Sequence, residues 1–452
     1  MILTRRNFLK ASGVTSLTLG LNLYSPPFIQ RRILGGVPES RKRMIFIFQR
    51  GGNDGVNTVI PRGDNLYNTS TRPTLYIPEE EAIDLGNGFA QLHPRLEPMM
   101  EIYNSQALTG YDGPGNLALL QRIGYSGQSQ SHFDSQQYWE NATPGNAANE
   151  VGFMYRKVIE TLDPAENRLP AVAIADSQLV ALKGPLPIPT ISDPRRFNFS
   201  GGRSRVNKFT GALPTTSLGA NGKGLLGLVG GPRDLPDQPY RELVYNTGLK
   251  LTDAINIVQG AVQQGAYVPE NGAAYPDSDF GERLRNAAML MKRTPVQIVG
   301  VNKGGWDTHS NQRSAHNDLL YQVASGFRAL YRDLQSMWDD LIIVTMTEFG
   351  RTSKENGSAG TDHAYACVVM AAGGGVRGGV YNCDSATWRN GDLFSKEDRY
   401  VRRRTDYRAV FGEIFMNHFG DDLATVRDVI PTWDQASRAR PSDFNLLGFL
   451  PS

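Results

Sequence analysis

Six acids and histidines stand just beyond apolar runs: Asp54, Asp307, His309, Glu348, Asp362 and His363. Carboxylates suit hard divalent ions and imidazole suits zinc or manganese, so together they read as ligands for one or two ions of zinc, manganese or calcium. Such ions can activate a hydroxyl or a water and clamp an oxyanion ester. The loop from Gly124 to Phe133 adds Ser129, Ser131 and His132, of which Ser131 and His132 are the catalytic candidates. Arg50 and Arg351 could each hold a phosphate or sulfate bidentately, and Arg351 is the one expected to steady a bound oxyanion. Each residue also has a plainer use. Asp54 lies among Asn and Gly in a turn-forming sequence, Ser131 is a good helix cap, and both arginines could form packing ion pairs.

These residues converge only if the elements before them run the same way. Met44–Phe48, Leu117–Ile123, Val296–Val301 and Leu341–Met346 each have the length and branching of a strand buried on both faces, and each exits into a Gly-containing polar loop. Ala171–Ala175 is a shorter strand of the same kind. Helical periodicity runs over 242–264 and 280–292, and Leu320, Val323, Phe327, Leu330, Leu334 and Met337 form one apolar stripe. Alternating strands and helices predict an α/β fold with a mostly parallel sheet, whose carboxyl edge collects all four loops. Cys367–Val376 and Val380-Tyr381 read as a hairpin around Gly373-Gly374-Gly375, and Thr405 reads as the cap of a last helix. From about 183 to 240 the chain is rich in Pro, Gly, Ser and Arg without a sustained period, which reads as an irregular insertion.

At 452 residues, with 40% apolar and 20% charged residues, the composition is that of an ordinary globular protein. The formal charge is +2, and losing Arg5, Arg6 and Lys10 with a leader would lower it to about −1, so nothing favours nucleic acid as a partner. Thr4-Arg5-Arg6-Asn7-Phe8-Leu9-Lys10 is a twin-arginine leader motif; residues 1–30 read as an export signal and 31–43 as a basic linker. The run Ala11–Gln30 is too polar and too broken by proline for a good membrane span. No small-x-small pattern is evident before Pro26-Pro27, which leaves an uncleaved membrane tether open. The expected location is periplasmic or extracellular, and the expected partners are the twin-arginine export machinery and an ester substrate. Cys367 and Cys383 are the only cysteines and could pair after export. With no cysteine cluster and no Gly-x-Gly-x-x-Gly after a strand, an exported redox enzyme is disfavoured.

Arg50-Gly51-Gly52-Asn53-Asp54-Gly55, Ser131-His132-Phe133, Gly305-Trp306-Asp307-Thr308-His309, Glu348-Phe349-Gly350-Arg351-Thr352 and Gly360-Thr361-Asp362-His363 follow one another in this order. Together they resemble a family of twin-arginine-exported, sulfatase-like bacterial proteins without an assigned function, itself similar to the alkaline phosphatase superfamily. The resemblance spans about 44–420 and the leader. It implies an alkaline phosphatase/sulfatase-like three-layer sandwich over 44–452, two divalent ions and an alcohol-type nucleophile, with Ser131 near the nucleophile's place. It implies a hydrolase of small-molecule or polymeric oxyanion esters. The chain departs from the pattern twice. Phe349 follows Glu348 where active relatives carry a histidine, so Asp362 or His132 would have to supply the missing ligand. The Cys/Ser-x-Pro-x-Arg signature that sulfatases oxidise is absent around Ser126–Ser135. The competing expectation is therefore a non-catalytic binding or assembly protein, with a protein partner, that keeps the fold.

Overall fold

The computed structural model describes residues 42–162, 167–198 and 239–452. The leader, all of the linker but its last two residues, and 199–238 of the expected insertion lie outside the described residues. Among the described residues eleven strands follow in order: β1 Arg43–Gln49, β2 Val59–Ile60, β3 Ile83–Asp84, β4 Gln91–Leu92, β5 Leu117–Gly124, β6 Ala171–Ile174, β7 Ile298–Lys303, β8 Leu341–Thr347, β9 Cys367–Ala372, β10 Gly379–Tyr381 and β11 Thr405–Asp406. The central sheet has the order β10-β5-β9-β8-β1-β7-β6, with β11 added to the end of β5, while β2, β4 and β3 form a small antiparallel sheet.

Period-2 alternation explains why the middle strands are apolar throughout. In β1, Ile45 and Ile47 join one core with the helices Asp279–Arg293 and Gln312–Asp333. Met44, Phe46 and Phe48 join a second core with Phe153, Val158, Phe411 and Phe415 from the opposite helical layer. A sheet with both faces covered has no polar face, hence the continuous apolar runs. The fold is the expected α/β sandwich with a mostly parallel central sheet.

β1 pairs in parallel with β7 and β8, and β9 is antiparallel to both β8 and β5. β5 therefore runs the same way as β1, β7 and β8, and the four exit loops share one edge. Two expectations are corrected. β10 does not form a hairpin with β9: it pairs in parallel with β5, which lies between them in the sheet. The helix expected to be last begins at Tyr407 and is capped by Asp406, whose carboxylate accepts from the Arg408 amide, while Thr405 belongs to β11; two more helices, Leu423–Val429 and Trp433–Ala439, follow it. The long helix ends at Asp333, so Leu334 and Met337 complete its stripe from its end and from the following turn. Cys367 and Cys383 are buried free thiols, not a disulfide.

Candidate metal centre

Glycine lets the exit loops approach closely. Gly51 has φ +121°, and a Cβ there would lie 2.3 Å from the Asp307 amide nitrogen; Gly52 has φ +88°, and a Cβ would strike the Phe349 ring at 2.6 Å. Any other residue would push the β1 loop off the loops after β7 and β8. The first amides of the helix Gln312–Asp333 and of its preceding residue bond to the carbonyls of Ala359 and Ser358, fastening the β8 loop to the β7 loop. On the β5 side, Ser131 caps the helix His132–Asn141, so His132 stands on its first turn and faces the same edge.

Three imidazoles meet one carboxylate there. His132 Nε2 lies 3.2 Å from Asp307 Oδ2, and His309 Nε2 and His363 Nε2 lie 3.0 and 3.1 Å from Asp307 Oδ1. His309 Nε2 and His363 Nε2 are 3.0 Å apart. The other ring nitrogen of each histidine faces an oxygen: His132 Nδ1 with Glu348 Oε1 at 3.0 Å, His309 Nδ1 with Asp362 Oδ1 at 3.1 Å, and His363 Nδ1 with the Gln130 carbonyl at 2.7 Å. A carbonyl or an ionised carboxylate only accepts, so each ring has an acceptor at both nitrogens, and a cation at the Nε2 atoms would leave the ring proton on Nδ1, where an oxygen takes it. Ligating histidines are commonly oriented in this way, with the second nitrogen donating to an oxygen behind it.

One atom supports a cation at this place: His132 Nε2 is buried without a hydrogen-bond partner, 3.2 Å from Asp307 Oδ2. One ligand atom from each of His132, Asp307 and His363 falls within 4.8 Å of the others, and His309 adjoins them. Three imidazoles and one carboxylate fit zinc or manganese better than calcium, which prefers an all-oxygen shell.

Charge in the group is arranged to keep Asp307 ionised. Burial raises its pKa, but the bonds from Arg351 and His363 outweigh that and pull it down to about 2. His132 is raised, first by its bond to Glu348 and against the effect of burial. His363 is lowered, chiefly by burial, with Asp307 opposing. Burial also raises Asp362, but its bonds to Asn356 and His309 lower it overall.

The other candidates have different places. Glu348 and Asp362, expected as ligands, stand behind His132 and His309 as acceptors; Glu348 Oε1 also takes the Gly51 amide and Gln136. Asp54, another expected ligand, pairs with Arg72 and accepts from Gln312, away from the imidazoles. Arg351, expected to hold a substrate oxyanion, has a side chain with no exposed surface, so it cannot touch one. It donates to the carbonyls of Gly51, Gly52, Trp306 and Thr361 and to Asp307 Oδ1 at 2.6 Å, tying the exit loops together. Ser131 is exposed, and its hydroxyl accepts from the Asp134 amide at 3.5 Å. Phe349 is fully buried, its ring centroid 4.3 Å from that of His363 and 5.0 Å from that of His132, a floor for both imidazoles. Arg50 pairs with Glu140.

The sequence reading missed Arg72, Gln312 and Arg399. Arg72 and Gln312 lie in stretches with no motif, and only the tertiary fold brings them to Asp54. Arg399 belongs to a visibly basic run, Lys396–Arg404, and meets Asp362 Oδ2 at 3.0 Å.

No curated protein matches the chain in sequence. The crystal structure of the C-terminal periplasmic domain of EcEptC from Escherichia coli is similar over 83% of this chain and 81% of that one, at 9% identity and a TM-score of 0.33. The sequence model of a family described as "Protein of unknown function (DUF1501)" matches residues 242–391, the part that carries Asp307, His309, Glu348, Asp362 and His363.

Proposed function

We propose that this chain is an exported, divalent-metal-dependent hydrolase of phosphoester or related oxyanion esters, with His132, Asp307, His309 and His363 holding the ion. One observation carries the reading: three Nε2 atoms converge on one carboxylate while every Nδ1 is engaged by an oxygen. A bound divalent ion would supply Lewis acidity toward the ester's oxyanion. Glu348, Asp362 and the Gln130 carbonyl hold the rings in place, and Arg351 anchors Asp307. Ser131 is the nucleophile in this scheme. Its oxygen bonds to the phosphorus or sulfur as the ester's alcohol departs, and water then releases the acid. Arg399, whose side chain is 54% exposed and meets Asp362 Oδ2, takes over from Arg351 the meeting with the substrate's negative oxygens. Export rests on the Arg5-Arg6 leader, a route that suits a protein which folds and acquires its ion first.

A second reading, a binding or assembly protein, is favoured by the burial of Arg351 and by the capping role of Ser131. Metal content of protein purified without chelator, together with turnover of p-nitrophenyl phosphate and sulfate, separates the two. Bound ion, and turnover that vanishes in an Asp307→Ala chain that still folds, support the hydrolase. No ion, and no uptake of zinc, manganese or calcium, would sink it. Bound ion without turnover, and with Asp307→Ala only less stable, supports the binding protein.

A further inference from the structure

The anion expected to help hold a second ion already has a cation that cannot leave. Arg72 has no exposed side-chain surface. Its Nη1 is 2.6 Å from Asp54 Oδ2 and 3.0 Å from Asn57 Oδ1, its Nη2 is 3.2 Å from Asp54 Oδ1 and 2.9 Å from the Thr352 carbonyl, and its Nε is 2.8 Å from the Ser353 carbonyl. An all-oxygen lining with one carboxylate is the donor chemistry of a hard cation such as calcium.

Asp54 has nothing left to offer a mobile ion. Oδ2 takes Gln312 Nε2 at 2.6 Å as well as Arg72, and Oδ1 takes the Asn57 amide at 3.3 Å as well as Arg72. Two donors to each oxygen fill a carboxylate's lone-pair sites. The same network supports the ion-binding loops, because Gln312 Oε1 accepts from Thr308 Oγ1 at 3.0 Å and Thr361 Oγ1 at 2.5 Å. Thr308 stands between Asp307 and His309, and Thr361 precedes Asp362.

We propose that the site takes a single exchangeable divalent ion, at His132–Asp307–His309–His363, and that Arg72 serves as a permanent built-in cation in the oxygen cage around Asp54. The proposal rests on the metal reading above and decides its stoichiometry. A guanidinium stays charged at every working pH, so the cage cannot be vacated by deprotonation. A second ion at Asp54 would have to expel a wholly buried side chain and break all five of its contacts.

The test is ion content of the full chain, stripped with chelator, equilibrated with zinc alone or with zinc and calcium, and read by elemental analysis and calorimetric titration. One ion per chain in both conditions is expected. Two ions would overturn the proposal and leave the metal reading standing, whereas no ion would overturn both. Arg72→Ala probes the cage directly. It should melt lower than the native chain and regain part of the loss in millimolar calcium, which leaves the native chain unmoved. A folded Arg72→Ala chain with no calcium response would overturn the cage assignment. Should that variant not fold, the native ion count decides.

Discussion

His309 and His363 face each other through their Nε2 atoms at 3.0 Å while both Nδ1 atoms are engaged by oxygens. With the ring protons on Nδ1 the two Nε2 lone pairs meet, and a shared cation would take both. Zinc should therefore stabilise the folded chain, by about 2.7 kcal/mol at a free concentration of 100 times its dissociation constant. His309→Ala and His363→Ala should each remove most of that gain, while His93→Ala, a buried ring outside the group, should keep it. Thermal melting with and without zinc is the measurement.

Protons compete with the ion for the same Nε2 atoms, which gives the pH dependence its sign. The bond to Glu348 raises the His132 pKa despite burial, so protonation of that ring begins above the ordinary imidazole value of about 6.5. Zinc affinity should fall as pH is lowered, with the fall beginning above about 6.5. In the ion-free chain a raised pKa acts the other way. The stabilising proton on His132 is fully present below about 6.5 and is lost as pH rises through the folded pKa. The melting temperatures of loaded and ion-free protein should thus separate as pH rises. Parallel melting curves across that range would count against His132 as a ligand.

Arg351 should matter to stability more than its distance from solvent suggests. Its guanidinium serves four backbone carbonyls and Asp307 from a fully buried position. Arg351→Met leaves those carbonyls and Asp307 short of a donor and should cost about 3 kcal/mol, toward the low end for a broken buried pair because the Asp307 side chain is 45% exposed. Arg351→Lys should recover little, since one ammonium cannot reach five acceptors spread around a planar fork. Urea unfolding of the two variants against the native chain checks both statements.

The edge of the sheet was legible in the sequence because apolar runs such as Leu341–Met346 and Met44–Phe48 announce strands buried on both faces, the usual state of strands in a mostly parallel sheet. The same reasoning placed Asp307, His309 and His363 at that edge as expected ligands and His132 as a catalytic candidate, and the structure brings the four together. It failed where a residue type serves two ends. Arg351 has the chemistry of an oxyanion clamp and the geometry of a brace, and only its burial tells them apart. Asp54 carries the charge of a ligand, but its partner Arg72 lies in a turn-rich stretch with no periodicity, so the pairing had no sequence signal. The β9–β10 hairpin failed for a related reason. Three glycines predict a turn, yet the choice between pairing with β9 and pairing with β5 is made by tertiary packing.

Glu348 offers the sharpest test of how the group is built, because it touches the site through one ring. Its Oε1 accepts from His132 Nδ1, the Gly51 amide and Gln136, and its Oε2 has no partner. In Glu348→Gln the amide oxygen can take the Oε1 place and keep the geometry, but the charge behind His132 is gone. Two consequences follow together. His132 becomes a weaker base toward the ion, so zinc affinity should drop roughly 10- to 100-fold, the usual cost of losing an outer partner of a ligating histidine. The same loss of charge lowers the His132 pKa, so the onset of proton competition should move to lower pH. Competition titrations of native and variant protein across pH read both at once. An affinity loss with no displacement of that onset would count against Glu348 as the acceptor behind His132.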